Sequence, residues 1–377
     1  MIYLDYAAAT PVDKEVLLRY MEVTTKYFAN PNANHKLGQD AAKLISESTK
    51  KIASYLGVEP EEIIYTSGAS ESNNLAIKGI SERYKNFGRH ILISSLEHNS
   101  VVSSATRLQE QGFEVEVVPV NQEGLIDLNS LKSLLREDTI LVSICTVDSE
   151  IGLKQPIEEI GEILKNYPHC HFHTDATQAI GKIPVHLENV DLLTFAPHKF
   201  YGLTGIGGLI KKKNISLRPQ MDGGKSTTIY RAGTPDAASI SALEKALSLS
   251  LEALEKRYKI VSSHYEKVKN TLLTYPKVTI NNTKNSIPYT LNFSISGVKA
   301  TWVQEKLESS GIYVSTKTSC CPIMTPSKLV YALTKDKNKA LSSIRLSFSH
   351  LTTSEEIDTF ILVFAKIYKE AEENGKI

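Results

Sequence analysis

The sequence predicts an α/β protein with a mostly parallel seven-stranded sheet and a second, smaller α+β domain. Seven short apolar runs rich in β-branched residues alternate with segments of helical periodicity, a pattern typical of βαβ units. The strand-like runs lie at 62–66, 91–94, 115–120, 139–145, 171–175, 191–196 and 206–210. Helical segments between several of them include 39–56, 71–84 and 157–164.

The chain changes character after Pro276, where short strand-like pieces mix with helices. We predict strands at 278–280, 290–295, 313–316 and 343–348, and helices at 301–309 and 355–373. Residues 236–275 contain neither Gly nor Pro and are rich in good helix formers, so they predict a long connecting helix with a bend. We therefore expect a large domain over 13–250 and a small domain made of 1–12 and 251–377.

Composition limits the kind of partner that the protein binds. The 377 residues include 43 Lys plus Arg and 42 Asp plus Glu. This balance argues against nucleic acid or an anionic membrane as a main partner. No apolar run approaches the roughly 18 residues of a membrane helix, and the N-terminus lacks the pattern of a secretory signal. Four Cys in this length form no disulfide framework, so we expect a reducing cytoplasm.

Asp175 ends one predicted strand and Lys199 follows another. Ligands of open α/β sheets bind at the carboxyl ends of the strands, so these two side chains are expected to face one pocket. A pocket lysine beside a carboxylate suits pyridoxal 5′-phosphate (PLP), since the lysine forms a Schiff base and the carboxylate pairs with the pyridinium nitrogen. The same residues also fit a surface lysine and an aspartate that caps a helix.

Residues 65–73 follow a strand and open a helix, and small residues there let backbone N–H groups approach an anion. We expect a phosphate cup at this turn, with Ser70 as the helix cap. A plain capped turn is the alternative. Gly205, Gly207 and Gly208 precede a strand instead of linking a strand to a helix, so we interpret them as a turn.

Several further side chains are candidates for the same pocket. His98 follows the strand at 91–94 and could stack on a cofactor ring or move protons, although a lone histidine is also commonly structural. Cys320 and Cys321 lie in a polar segment near Lys317, which suits a reactive thiolate or two incidental loop cysteines. Arg345 lies within a predicted strand and is expected to meet a carboxylate of the protein or of a substrate.

The histidines at 169, 171 and 173 resemble a metal cluster at first sight. His171 and His173 would share one strand face, but no second set of ligands lies nearby in the sequence, so we expect no metal. Cys145 lies in an apolar run and is expected to be a buried small side chain.

Taken in chain order, these motifs resemble the cysteine desulfurases of the NifS/IscS type, which are class V aminotransferases of the fold-type I PLP enzymes. Each motif is weak alone, but the ordered set is specific. The similar stretches lie at 3–11, 66–79, 97–98, 150–152, 175–178, 198–199, 231–234 and 342–345.

The resemblance implies a role for each matching residue. Lys199 would bind the cofactor and shuttle a proton, His98 would stack on the ring, and Cys320 would form a persulfide. Thr234 would reach the phosphate in a neighbouring subunit, which implies a homodimer. Arg345 and Ser149 would hold the substrate. The remaining cofactor contacts are implied for Ala69, Ser70, Asp175, Gln178 and His198, with Ser149 also near the cofactor.

The implied reaction converts L-cysteine to L-alanine and passes the sulfur from Cys320 to a protein acceptor, either an iron–sulfur scaffold or a tRNA-thiolation protein. Cys321 is the alternative nucleophile, because the loop departs from the usual pattern. Two other departures are Ser149, where the family usually has Asn, and Ala196, where it usually has Ser. Alternative functions are a selenocysteine lyase, an aminotransferase, or a degenerate dimeric scaffold homologue.

Overall fold

The computed structural model describes residues 1–224, 226–317 and 325–377. The strands are β1 (Ile2–Tyr3), β2 (Ile63–Thr66), β3 (His90–Ser94), β4 (Glu114–Val118), β5 (Thr139–Ser143), β6 (His171–Asp175), β7 (Leu192–Phe195), β8 (Gly207–Lys211), β9 (Val278–Ile280), β10 (Thr290–Ile295), β11 (Ile312–Tyr313) and β12 (Ser343–Ser347). The helices are α1 (Lys14–Lys26), α2 (Lys36–Leu56), α3 (Ala69–Tyr84), α4 (Asn99–Gln109), α5 (Leu128–Leu134), α6 (Ile157–Leu164), α7 (Ala237–Glu252), α8 (Leu254–Leu272), α9 (Ala300–Ser309), α10 (Lys328–Thr334), α11 (Lys337–Leu341) and α12 (Ser354–Glu373).

The largest sheet in the described part of the chain has seven strands in the order β2-β8-β7-β6-β5-β3-β4. Its neighbours pair in parallel, except that β8 is antiparallel to both β2 and β7. The predicted seven-stranded, mostly parallel sheet is confirmed. Parallel strands are usually covered by helices on both faces, and β3, β5, β6 and β7 are buried along their whole length.

Adjacent residues of β7 show the two layers that cover the sheet. Leu192 packs in an apolar cluster with Leu75 of α3, whereas Leu193 packs in a different cluster with Leu243 of α7. Successive side chains of a strand point to opposite faces, so the sheet lies between these two helical layers. No helix in the described residues is long and apolar enough to cross a membrane.

The predicted helix at 236–275 is two helices, and the predicted bend is confirmed. α7 ends at Glu252 and α8 begins at Leu254, with Ala253 between them at φ −98° and ψ 6°. The predicted helix at 39–56 begins earlier, at Lys36, because the ring of His35 caps it by accepting a hydrogen bond from Gly38 N at 3.2 Å.

The C-terminal part forms an antiparallel sheet in the order β12-β10-β9. The N-terminus joins this part, because β1 pairs in parallel with β11 and Asp5 bridges Ser347. The strand predicted at 313–316 is observed as β11, which ends at Tyr313. Beyond it the chain leaves β1, and Ser315 forms a bridge to Arg345 instead. These contacts support placing 1–12 with the C-terminal part, although the domain boundaries themselves stay a prediction.

We expect Phe364→Ala to destabilise the C-terminal part by about 3–5 kcal/mol, because the ring is buried and its loss leaves a cavity. Its centroid lies 5.2 Å from that of Tyr275 and 5.6 Å from that of Phe293, both in edge-on contact. Leu362→Ala on the same helix is the control, since this side chain is 65% exposed, and its effect should stay within about 0.5 kcal/mol. Denaturant unfolding measures both, and equal effects would contradict this packing.

Candidate active site

A cavity of about 390 Å³ lies where the central strands of the large sheet end. Its walls come from the segments that follow β2, β3, β5, β6 and β7, as expected for a ligand site at the carboxyl edge of an α/β sheet. The predicted site residues that line it are Ala69, Ser70, His98, Ser149, Asp175, Gln178, His198, Lys199 and Arg345. The structure therefore brings together predicted residues from six separate stretches of the chain.

The first turn of α3 forms one wall of the cavity. The helix begins at Ala69 with Gly68 as its N-cap, so the expected cap at Ser70 is wrong and Ser70 lies within the first turn. Glu71 organises the turn, because one carboxylate oxygen accepts from Ser67 N at 2.6 Å and the other lies 2.9 Å from Arg231 Nε. The free N–H groups of this turn are suited to an anion.

Gly207 allows β8 to approach this turn closely. A Cβ built on Gly207 would lie 2.6 Å from the backbone of Gly68, which is too close for any side chain. The expected turn is found at Gly205, whose φ is +83°, but Gly207 and Gly208 belong to β8. Glycine at 207 therefore serves packing against the anion-binding turn.

Asp175 is held at the end of β6 by two hydrogen bonds. Its Oδ2 accepts from Asn73 Nδ2 at 2.7 Å, and its Oδ1 accepts from Thr177 N at 3.0 Å. Asn73 Nδ2 also donates to Ser100 Oγ at 2.8 Å, which links α3 to α4. Asn73 was not among the residues predicted for the site. Its position on the buried side of α3 is the feature that indicates a structural or site role for this polar side chain.

His98 is the N-cap residue of α4. Its Nδ1 accepts from Ser100 N at 3.1 Å, so the neutral ring carries its proton on Nε2. Burial lowers the pKa of His98; Asp175 opposes this shift and Lys199 adds to it. The ring is therefore mostly neutral near pH 7, and it lines the cavity, where its stacking role stays a prediction.

Lys199 follows β7 in a 3-10 turn at Pro197–Lys199. Its Nζ donates to Ala7 O at 2.8 Å and to Ala8 O at 2.5 Å. Gln178 Nε2 donates to the same Ala7 oxygen at 2.9 Å. The N-terminal motif thus supplies backbone acceptors to the site, a contribution that sequence patterns alone did not predict.

Burial and the neighbouring cations Lys199 and Lys182 lower the pKa of His198 to about 4. The imidazole therefore stays neutral at physiological pH. A neutral imidazole can donate one hydrogen bond and accept another in the cavity without adding charge.

Arg345 is almost fully buried in β12, and the expectation that it meets a carboxylate is confirmed. Its Nη2 lies 2.7 Å from Asp5 Oδ1, and its Nη1 donates to Ser149 O at 2.8 Å. Its Nε is buried with no hydrogen-bond partner in the described residues. The guanidinium is therefore compensated by one carboxylate, and Arg345 lines the cavity; its role toward a substrate stays a prediction.

Thr234 does not line this cavity. It lines a neighbouring polar cavity of about 180 Å³ together with Thr66, Arg231 and Asp236, and Ser67 lines both. Cys320 and Cys321 lie outside the described residues. The chain enters their segment from Ser315, whose backbone pairs with Arg345.

The histidines at 169, 171 and 173 have separate surroundings. His169 stacks on Phe87, with ring centroids 4.6 Å apart, and His171 packs on Tyr84 at 4.1 Å. His173 bonds to hydroxyls on β5 and β7. Across 1–224, 226–317 and 325–377 no three His, Cys, Asp or Glu side chains are grouped to hold a metal. Cys145 is buried as expected, but it follows β5 and lines the cavity.

A lysine, a strand-end carboxylate and a helix N-terminus in one cavity of such a sheet are typical of a cofactor-dependent α/β enzyme. Residues 2–360 match the class V aminotransferase family. A NifS/IcsS protein homologue of Lactobacillus delbrueckii subsp. bulgaricus is 41% identical, covering 98% of this chain and 97% of its own length. The cysteine desulfurase IscS of Dictyoglomus turgidum is 36% identical over 98% of this chain and 95% of its own.

A solved NifS-like protein superposes with a TM-score of 0.91 and 32% identity, covering 98% of this chain and 99% of that one. The chain belongs to the class V aminotransferases, within the NifS/IscS-like cysteine desulfurases. This family consists of PLP enzymes. The expected family, fold class and enzyme class are therefore confirmed.

Glu97, next to His98, is a buried acid behind the cavity. Its Oε1 accepts from Ser94 Oγ at 2.5 Å and from Cys145 N at 2.7 Å, while its Oε2 has no partner in the described residues. Burial raises the pKa of Glu97 to about 8. The carboxyl is therefore mostly protonated at neutral pH.

We expect Glu97→Gln to make stability less dependent on pH. The folded protein keeps a proton on Glu97 that the unfolded chain releases, so unfolding free energy falls as pH rises from about 4.5 to about 8. Glutamine keeps the Oε1 acceptor without titrating, so the variant should gain roughly 2–4 kcal/mol over the wild type at pH 8 and little at pH 5. Denaturant unfolding at both values measures this, with exposed Glu188→Gln as control; parallel pH profiles would contradict it.

Proposed function

We propose that this chain is a PLP-dependent cysteine desulfurase that converts L-cysteine to L-alanine and holds the sulfur as a persulfide on Cys320. The observation that supports this most is the presence of Lys199, Asp175 and Arg345 in one cavity beside the first turn of α3. These groups match an amino-acid substrate and a phosphorylated pyridine cofactor in charge and in chemistry.

The residues fit the cofactor. No atom lies within 4 Å of a Cβ built at Gly68, so the space before the α3 N-terminus has room for a phosphate group. The first turn of α3 and His198 would hold the phosphate, Asp175 the ring nitrogen, Gln178 the ring oxygen, and Lys199 the aldehyde carbon. When bound, PLP supplies an electron sink for the pair released from the substrate's Cα–H bond.

The chain's own residues orient the substrate and move its protons. Arg345 binds the carboxylate, which decides which bond at Cα faces the cofactor. Lys199 Nζ takes the proton from Cα. Asp5 and Ser149 O already hold the Arg345 guanidinium in place before the substrate binds. The arginine side chain therefore loses little rotamer freedom when it binds the substrate carboxylate.

Sulfur transfer is balanced without an external oxidant. The Cys320 thiolate attacks the sulfur of the substrate, a new S–S bond forms and the Cβ–S bond breaks. The bonding pair stays with Cβ, which gains a proton to become the alanine methyl group. Cys321 stays the alternative nucleophile. A protein acceptor, such as an iron–sulfur scaffold or a tRNA-thiolation protein, then takes the sulfur in a reducing cytoplasm.

The enzyme acts as a homodimer in this proposal. Phe28 is 75% exposed and Ile229 is 78% exposed, so both present apolar surface to solvent. Phe28 and Thr234 line one further cavity, of about 370 Å³, so the apolar surface is continuous with the segment that carries Thr234. A second copy that covers this surface would bring Thr234 to the phosphate of its partner.

Purified PLP-loaded protein is expected to release alanine from L-cysteine in equal amount to sulfide when a thiol reductant is present. Lys199→Ala should lose both the visible absorbance of the cofactor and the product, because Lys199 would both bind the cofactor and take the Cα proton. Cys320→Ser should lose sulfide release, with Cys321→Ser as the matched control that retains it. Mass spectrometry of the trapped persulfide locates the sulfur directly.

The opposite pattern for the two cysteines would show that Cys321 is the nucleophile. A yellow protein that turns over selenocysteine or an amino-group acceptor but not cysteine would identify another class V activity. A colourless protein without product would favour the scaffold alternative.

We expect Phe28→Asp to weaken the dimer by at least tenfold in dissociation constant, because it places a charge in a contact that must lose water. Sedimentation velocity over a concentration series measures the shift. Leu362→Asp is the control, as this residue is similarly exposed on α12, away from Thr234. A monomeric wild type, or equal weakening by both variants, would contradict the proposed interface.

A further inference from the structure

Lys182 is a buried lysine beside the active site that the proposed reaction does not use. It is 7% exposed, and its ammonium lies 5.8 Å from the ring centroid of Tyr289. Within the described residues it forms no ion pair; the charged groups acting on it are the cations Lys199 and Arg345. The charged or titratable side chains around the small cavity next to it are Tyr6, Lys199, Tyr201, Arg257 and Tyr289.

This environment is unfavourable for a lysine. Burial, with the repulsion of Lys199 and Arg345, lowers the pKa of Lys182 to about 7. A buried ammonium without a carboxylate costs stability, and a methionine of similar length would avoid that cost. Packing alone therefore gives no reason for a lysine here.

The strong contact of Lys182 is with Gln178. Its Nζ donates to Gln178 Oε1 at 2.5 Å. An amide has two distinct ends, and turning it over would place its NH2 group against the Lys182 donors. Lys182 therefore favours the orientation in which the Gln178 NH2 group points away from it, toward Ala7 O.

The fixed amide belongs to a chain of hydrogen bonds that ends at Lys199. Gln178 Nε2 donates to Ala7 O at 2.9 Å, and Lys199 Nζ donates to that same oxygen at 2.8 Å. Ala7 and Gln178 both line the main cavity. The hydrogen-bonded chain therefore runs from Lys182 through Gln178 and Ala7 O to Lys199. It places two N–H donors, Gln178 Nε2 and Lys199 Nζ, on one side of the cavity.

We propose that Lys182 is a positioning residue that holds the Gln178 amide with its NH2 group toward the ring oxygen of the cofactor, next to Lys199. This inference rests on the proposed function, because it concerns the same cofactor site. Gln178 then donates to the ring oxygen in its deprotonated form, and the added positive charge behind it favours that form further.

The test is a pH titration of the visible absorbance of the PLP-loaded enzyme without substrate. Lys182→Met is expected to raise the midpoint by about one pH unit, a tenfold change in proton affinity. In a Gln178→Ala background the same substitution should shift the midpoint by a third of that or less, because the amide it positions is gone. Lys182→Leu gives a second apolar replacement if methionine packs poorly.

Lys211→Met is the matched control. Lys211 is 3% exposed and donates to the backbone oxygens of Lys212 and Ile215, so the variant also removes a buried ammonium, but away from the cavity. We expect its thermal stability to change and its titration midpoint to stay at the wild-type value.

Two results would overturn the inference while leaving the proposed function intact. One is an unchanged midpoint in Lys182→Met; the other is an equal shift with and without Gln178, which would mean that Lys182 acts through its charge alone. A wild-type protein that binds PLP without a visible band would overturn the proposed function and this inference together.

Discussion

The buried ion pair between Arg345 and Asp5 is the contact on which the arrangement of the site depends. The guanidinium is 2% exposed, and removing one partner of such a pair typically costs about 3–5 kcal/mol. The pair links the N-terminal segment to β12, while Arg345 Nη1 reaches Ser149 O after β5. One charged group thereby joins three distant parts of the chain at the edge of one cavity.

The N-terminal segment follows from this constraint. With Asp5 held by Arg345 and by Ser315 Oγ, the next residues lie over the carboxyl edge of the large sheet. There the backbone oxygens of Ala7 and Ala8 accept from Lys199, and Ala7 accepts from Gln178 as well. The small side chains of alanine leave these oxygens accessible to Lys199 and Gln178, which suits a motif that contacts the site through its backbone.

Three cations, Lys182, Lys199 and Arg345, lie near this edge, and they suit an anionic cofactor and substrate. Burial lowers the pKa values of Lys182 and His198, and repulsion by the neighbouring cations lowers them further. A phosphate and a carboxylate would interact favourably with these three cations on binding. Binding of these anionic ligands would therefore reduce the electrostatic repulsion among the three cations.

Periodicity and local motifs determined much of this protein from the sequence: the seven strands, the bent connecting helix, and the placement of Asp175 and Lys199 at strand ends that face one cavity. These follow from short-range rules, since a strand's burial pattern and its end are written in adjacent residues. The tertiary structure alone decided the partner of Arg345, the role of Ala7 and the contacts of Asn73 and Lys182. Each of these joins residues far apart in the chain, and no local pattern encodes which distant group compensates a buried charge or fixes the end of an amide.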